Sequence, residues 1–420
     1  MEKITAIRGF KDILPEDARR FWEVESIARK IFNSFGFREI RTPIMEKTEL
    51  FKRSIGETTD IVEKEMYTFA DRDNEYLTLR PEATASVIRA YIEHNMSASE
   101  QTTKLFTIGP MFRRERPQKG RFRQFNQINV ELFGEDKPQS DAEIIFMLMH
   151  FLTSAGLNNL ELEINSLGCS ACRPVFSRAV INFLKGREKN LCPDCQRRIN
   201  TNPLRVFDCK VETCASIITD APRIVDFLCS DCEGHFSQVQ SFLKDVRISF
   251  AINPRMVRGL DYYTKTAFEV KTNALGAQNA VAGGGRYNGL VSSLGGPEVP
   301  GIGFAVGFER LIACLPEEGK NNFKTDLFIA ALGAQAQKLA FGLTNELRRV
   351  GISAEMDYAD KSLKSQLKRA DKLNSSFTLI FGDKEIAEKQ VLLRNMLTKD
   401  QQTIPLDDLL KSITNIIKER

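Results

Sequence analysis

Residues 125–133 place the tightest constraint on the fold. In the run Phe125-Asn126-Gln127-Ile128-Asn129-Val130-Glu131-Leu132-Phe133, Phe125, Gln127, Asn129 and Glu131 share one face, and Asn126, Ile128, Val130 and Leu132 share the other. Alternation of period two predicts a strand. A strand this central, with two amides and a carboxylate on one face, either meets water or floors a polar pocket. The apolar run Lys104–Ile108 predicts a neighbouring strand. Between them, Phe112 to Phe125 crowds five arginines and a lysine into one loop. Guanidinium forks suit phosphate oxygens, and Phe125 offers a flat face to a base. The plainer reading is a solvated charged hairpin, but apolar strands lead into and out of this loop.

Three other segments invite chemistry. Val257-Arg258-Gly259-Leu260-Asp261-Tyr262-Tyr263-Thr264 combines an anion-binding cation with two tyrosine hydroxyls. Ala282-Gly283-Gly284-Gly285-Arg286-Tyr287 lets backbone approach a ligand, although turns use the same residues. Gly301 to Leu311 reads as a glycine-rich strand feeding a helix, with Arg310 in the first turn, where a cation opposes the helix dipole. No dinucleotide fingerprint or phosphate-binding loop spacing occurs.

The chain of 420 residues is long enough for two or three domains. With 42% hydrophobic and 27% charged residues, it has the balance of a globular protein outside membranes. No apolar run approaches the ~20 residues that span a bilayer, and Met1-Glu2-Lys3-Ile4-Thr5 does not begin a signal peptide. The expected location is the cytoplasm. A net charge of +4 permits a nucleic-acid partner without demanding one.

Phe21, Val24, Ala28, Ile31, Phe32 and Phe35 predict a helix over 18–35, ended by Gly36. Phe37–Pro43 predicts a strand, and Ser140 with Glu143 a capping box opening a helix with an apolar body. Strand pattern resumes at Val246–Ile252. After Phe323, strands at 326–332, 353–358 and 377–381 alternate with helices at 335–349, 362–373 and 407–417, the pattern of a separate small α/β domain. Asn321-Asn322 lies in the expected linker.

Eight of the nine cysteines lie between Cys169 and Cys232. Cys169/Cys172, Cys192/Cys195 and Cys229/Cys232 are C-x-x-C pairs, and Cys209/Cys214 are more widely spaced. The interval from Cys172 to Cys192 matches a zinc ribbon built from the first two pairs. A structural zinc and a set of buried, unligated thiols are both open readings. His94, His150 and His235 are isolated, with His235 near enough to Cys232 to serve as a spare ligand.

Taken together, these segments resemble the histidyl-tRNA synthetases, members of the second structural class of aminoacyl-tRNA synthetases. The likeness covers nearly the whole chain. Gly36–Phe51, Phe106–Gly134 and Gly301–Leu311 resemble the three motifs of the class. Arg258–Tyr263 and Gly284–Tyr287 resemble segments specific to the histidine enzyme, and Thr78–Thr84 its amino-acid-binding loop. The resemblance implies an α+β catalytic domain, an antiparallel sheet flanked by helices, over 1–320. A cysteine-rich insertion domain at 168–248 would interrupt it, and a C-terminal α/β anticodon-binding domain would span 325–420.

The resemblance also implies roles. Glu82, Thr84 and Gln127 would hold the α-amino group of histidine, and Glu131, Tyr263 and Tyr287 would read its imidazole. Arg258 would sit between the histidine carboxylate and the α-phosphate of ATP, and Arg113 would grip that phosphate, making these two the catalytic residues. Glu115 would meet the adenine edge, Phe125 its face, Arg121 the distal phosphates and Arg310 the other side of the triphosphate. Arg116 and Gln118 would face the tRNA acceptor end. ATP with Mg2+, tRNA(His) and a second copy of the chain are the implied partners. Asn126, Ala83 and Asn288 depart from the family's commoner residues, and alternation turns Asn126 away from the pocket. A competing reading is a non-catalytic, histidine-binding regulatory subunit of ATP phosphoribosyltransferase. Such relatives typically lack the C-terminal domain and the ATP-binding arginines. Retention of Arg113, Arg121, Arg258 and Arg310 argues against it, as does a C-terminal domain with Lys361, Lys364, Lys368, Arg369 and Lys372 on one helix.

Overall fold

A computed structural model describes residues 3–57, 59–117, 120–275, 279–316, 324–359 and 361–418. The chain forms two compact units, Met1–Pro316 and Glu317–Arg420.

The main sheet of the first unit has eight strands: β1 (Arg38–Glu39), β2 (Thr103–Phe112), β3 (Gln124–Phe133), β4 (Leu160–Ser166), β5 (Ala251–Ile252), β6 (Thr264–Thr272), β7 (Ala280–Arg286) and β8 (Gly301–Gly307). Their order across the sheet is β1-β2-β3-β8-β7-β6-β4-β5. The six inner strands are antiparallel, and the two-residue strands pair in parallel at the edges. Ile128, Val130 and Leu132, the apolar face of β3, enter the main core. Helices α1 (Pro15–Ser34), α3 (Pro138–Ser154) and α5 (Ser230–Asp245) contribute to that core, while α2 (Thr84–Glu93) adds Val87, Ile88 and Tyr91 to another. Phe32 is fully buried, with its ring 5.3 Å from Phe106 and 5.4 Å from Phe151. Burial of one such ring stabilises by about 1.5–3 kcal/mol.

The insertion runs from α4 (Cys172–Leu184) through short helical turns to α5. Phe176, Val180, Leu184, Ile199, Val206 and Ile218 form a small core of its own. Phe236, Val239 and Leu243 of α5 instead join the main core.

Several local expectations need correction. Helix α1 begins at Pro15, whose fixed φ suits the first helical position. The strand expected over 37–43 shortens to Arg38–Glu39. Ser140 does not open a capping box. Helix α3 starts at Pro138, the Ser140 hydroxyl donates to the Lys137 carbonyl, and Glu143 pairs with Lys104 at 2.6 Å. The strand expected from Val246 shrinks to Ala251–Ile252, because Val246 closes α5 and Arg247 adopts a left-handed φ of 59°.

The second unit has strands β9 (Leu327–Ala331), β10 (Ala354–Met356), β11 (Phe377–Phe381), β12 (Gln390–Asn395) and β13 (Gln401–Pro405), ordered β10-β9-β11-β12-β13. The first three are parallel, and β12 and β13 add antiparallel. Helices α7 (Ala334–Arg349) and α9 (Leu409–Lys418) share one core with the sheet, and α8 (Leu363–Lys372) shares another. Lys361 therefore precedes α8, not on it as expected. It and Arg369 pair with Asp357, at 3.4 and 3.0 Å, while Lys364, Lys368 and Lys372 stand exposed along one helical face. Asn321-Asn322 lies outside the described residues.

Candidate active site

The polar face of β3 is a pocket floor. Gln127, Asn129 and Glu131 are all buried, Glu131 with 2% of its surface exposed. The glycine-rich strands beside it leave room for these side chains. Gly303 pairs with Glu131, and a Cβ there would lie 2.2 Å from Glu131 Oε2. A Cβ on Gly283 would lie 2.5 Å from the Arg258 guanidinium, and one on Gly301 2.3 Å from the Tyr287 ring. The glycine segments thus act through the side chains they omit.

Thr84 Oγ1 donates to Glu131 Oε1 at 2.6 Å, and the Tyr287 hydroxyl donates to Oε2. Burial pushes the Glu131 carboxyl up to about 8, against the pull of these two donors, with Glu82 adding to the rise. Glu82 sits at the N-terminus of α2 and accepts the Thr84 and Ala85 amides at 2.8 and 2.9 Å. Burial raises its pKa as well, and the amides oppose the rise. Gln127 Oε1 and Asn129 Oδ1 are buried without a partner among the described residues. Two carboxylates and two idle acceptors on one wall make an environment for an ammonium group and an N–H donor.

Arg258 crosses the pocket to Glu269 at 2.8 Å and lies 5.7 Å from the centroid of the buried Tyr263 ring. The loop between β2 and β3 closes another side. Arg113 donates to the Pro81 carbonyl at 2.8 Å and lies 5.4 Å from the Phe125 centroid, while Arg121 pairs with Glu115 at 2.8 Å. Arg310, in the first turn of α6 (Phe308–Cys314), enters from β8. Burial and the nearby Arg121 charge lower its pKa, the direction expected where cations crowd around space for an anion.

One cavity of about 250 Å³ gathers these groups. It unites Glu82, Thr84, Gln127, Glu131, Tyr263 and Tyr287 with Arg113, Glu115, Arg121, Phe125, Arg258 and Arg310. Arg116 is exposed and outside its lining, and Gln118 lies outside the described residues. Asn126 turns away, as alternation requires, and donates to Glu309 at 2.9 Å. Tyr262, one of the two tyrosines noted in sequence, also lines the cavity, as does Glu269, which was not singled out from sequence. Glu269, on β6, meets Arg258 from the loop that precedes that strand, and no local pattern marks it.

Arg286 is wholly buried beneath the pocket. Its Nε donates to Asp141 at 3.0 Å, Nη1 to the Glu135 carbonyl at 2.8 Å and Nη2 to Ser140 at 2.9 Å. His235 Nε2 lies 2.8 Å from the other Asp141 oxygen, so it is no spare ligand for the cysteines. The Asp141 carboxyl is held below its usual range by His235 and Arg286, against burial.

The cysteines form two groups, Cys169/Cys172/Cys229/Cys232 and Cys192/Cys195/Cys209/Cys214. The ribbon expected from the first two pairs is therefore incorrect. Chain reversal through the insertion brings the start of α5 back to the start of α4 and leaves Cys192 and Cys195 with Cys209 and Cys214.

An antiparallel sheet with a carboxylate-floored pocket and arginines at a strand–loop–strand motif and at a strand–helix junction defines a class II aminoacyl-tRNA synthetase. A family model described as histidyl-tRNA synthetase matches residues 9–172 and 216–311, and one described as an anticodon binding domain matches 326–416. A histidine–tRNA ligase of Desulfosudis oleivorans is 55% identical over 416 residues, 99% of this chain and 98% of that protein. The structure of apo S. aureus histidyl-tRNA synthetase superposes with a TM-score of 0.84 at 40% identity, covering 98% of this chain and 100% of that one. A Bacillus halodurans structure described as an ATP phosphoribosyltransferase regulatory subunit/histidyl-tRNA synthetase has a TM-score of 0.62 at 18% identity, over 91% and 98% of the two chains, and shares the fold. This chain belongs to the histidyl-tRNA synthetase family.

Proposed function

We propose that the cavity joins histidine to ATP, forming histidyl-adenylate and pyrophosphate, and then passes histidine to the 3′ end of tRNA(His) with release of AMP. The chain is a histidine–tRNA ligase. The observation that carries the division of labour is Glu131, a buried carboxyl held by Thr84 and Tyr287 in a cavity that Arg113, Arg121, Arg258 and Arg310 also line. Glu131 accepts the imidazole N–H, with Tyr263 and Tyr287 walling the ring. Glu82, Thr84 and Gln127 take the α-amino group.

The substrate carboxylate is ionised at neutral pH and needs no general base to attack phosphorus. What opposes attack is repulsion between anions. Arg258 and Arg113 offset it at the α-phosphate, and Arg310 and Arg121 at the rest of the triphosphate. Adenine meets Phe125 and Glu115. ATP would enter as its magnesium complex, in which the ion would offset part of the triphosphate charge. Glu115 and Glu269 are already paired with arginines and do not form a protein-built cage. Arg116 and Gln118 face the acceptor end, and the second unit reads the anticodon arm. The working form is a homodimer in the cytoplasm, and structural zinc belongs to the cysteine groups. Among the described residues, no helix is long and apolar enough to cross a membrane.

The test is charging of tRNA with labelled histidine. Transfer to tRNA(His) alone is expected. Histidine binding without adenylate formation or charging would favour the regulatory-subunit reading.

A further inference from the structure

The two cysteine groups stand behind the loop that carries Arg258 and Tyr263. In each group the four Sγ atoms lie within 4.8 Å of one another, and no cysteine is in a disulfide. Cys169 and Cys172 are 3.7 Å apart, Cys169 and Cys229 3.9 Å, and Cys192 and Cys209 3.8 Å. A tetrahedral zinc with bonds of about 2.3 Å holds its sulfurs about 3.8 Å apart, whereas a disulfide needs about 2.05 Å. Backbone amides support the thiolates: Cys229 N–H donates to Cys172 Sγ at 3.1 Å, and Cys192 N–H to Cys214 Sγ at 3.2 Å. In both groups two sulfurs belong to buried residues and two to partly exposed ones, which provides a dry cage with a route in.

Each group holds one arm that grips the loop. Arg173 follows Cys172 and donates to the carbonyls of Tyr263 and, at 3.4 Å, Asp261. Arg205 lies between Cys195 and Cys209. It donates to the Asp261 carboxylate and the Gly259 carbonyl, each at 2.8 Å, and Asn202 adds a bond to the same carboxylate at 3.2 Å. We propose that each cysteine group binds one zinc ion as a tetrathiolate, and that the two ions brace the loop from Arg258 to Tyr263 against the histidine pocket. Binding releases the thiol protons and changes no oxidation state. The metal assignment stands on the cysteine geometry alone, and the bracing rests on the proposed histidine pocket.

The test begins with the full-length, untagged protein, purified without added metal and assayed for zinc, iron and free thiols. Two zinc ions per chain are expected, falling to one in Cys195→Ser and one in Cys232→Ser. Protein grown in cobalt should show the visible bands of a tetrahedral thiolate centre, a readout independent of any variant. Absence of metal with all thiols titrating, or iron in place of zinc, would overturn the assignment. For the bracing, Arg205→Ala should keep both zinc ions yet raise KM for histidine about tenfold or more, with KM for ATP nearly unchanged, because small displacements of positioning groups carry such penalties. Unchanged KM for histidine in that variant would overturn the bracing. Two zinc ions in a protein that fails to charge tRNA would leave the metal assignment standing and remove the histidine reading.

Discussion

Glu131 combines two properties that are usually kept apart: it is buried, and it has two hydroxyl donors waiting for its charged form. Burial prevails, so the carboxyl is largely neutral at pH 7 and ionises near 8. The ionised form accepts an imidazole N–H more strongly than the neutral carboxyl does. KM for histidine should therefore fall as pH rises from ~6.5 towards 8.5, since the substrate imidazole also loses its charge over this range. Glu131→Gln should flatten that profile and lower kcat/KM for histidine by about 10²–10⁴, as expected when a buried polar contact is left unmatched. A steady-state pH series on both proteins checks this, and an unchanged profile in the variant contradicts it. Gly303→Ala is predicted to do comparable harm without touching a functional group. Its Cβ would press on Glu131 Oε2 and the Val130 carbonyl, at 2.2 Å from each. Overpacking of this kind costs about 1–3 kcal/mol, and here it also displaces Glu131. Calorimetric titration should register weakened histidine binding in a folded protein.

At the scale of elements, β3 was readable because period-two alternation survives in sequence, and its polar face pointed to a pocket before any partner strand was known. The glycine segments were readable as special but not as to why: what Gly283, Gly301 and Gly303 leave empty is occupied by residues 14 to 172 positions away. Ser140 shows how a local signal misleads. Its spacing to Glu143 imitates a capping box, yet its hydroxyl and Asp141 are committed to Arg286, which arrives from β7. The hairpin of β12 and β13 escaped because Lys389 and Lys399, not glycines, take the positive φ at its ends. Pairing of the cysteines was hidden for a related reason, since sequence spacing says nothing of where the insertion turns back. Asp141→Asn leaves Arg286 buried and only partly neutralised, which should cost about 3–5 kcal/mol in chemical denaturation, much more than a surface substitution. Loss of under 1 kcal/mol would show that this buried network is not holding α3 against β7.

For the whole molecule, the chain divides into two units, with the chemistry and the acceptor-end contacts proposed for the first and the anticodon-arm contact for the second. Lys364, Lys368 and Lys372 project from one face of α8. Replacement of all three by glutamine should weaken tRNA binding and reduce the slope of log affinity against log salt by up to about 3, since each phosphate contact contributes nearly one unit. Activation of histidine without tRNA should be unaffected. Loss of activation as well would mean that the two units do not act separately. Selection of histidine by the pocket on β3 for reaction with ATP is decided by exchange of labelled pyrophosphate into ATP with each of the twenty amino acids. Robust exchange with histidine and background with the others is the predicted result. No histidine-dependent exchange in a folded protein that still binds histidine would contradict it.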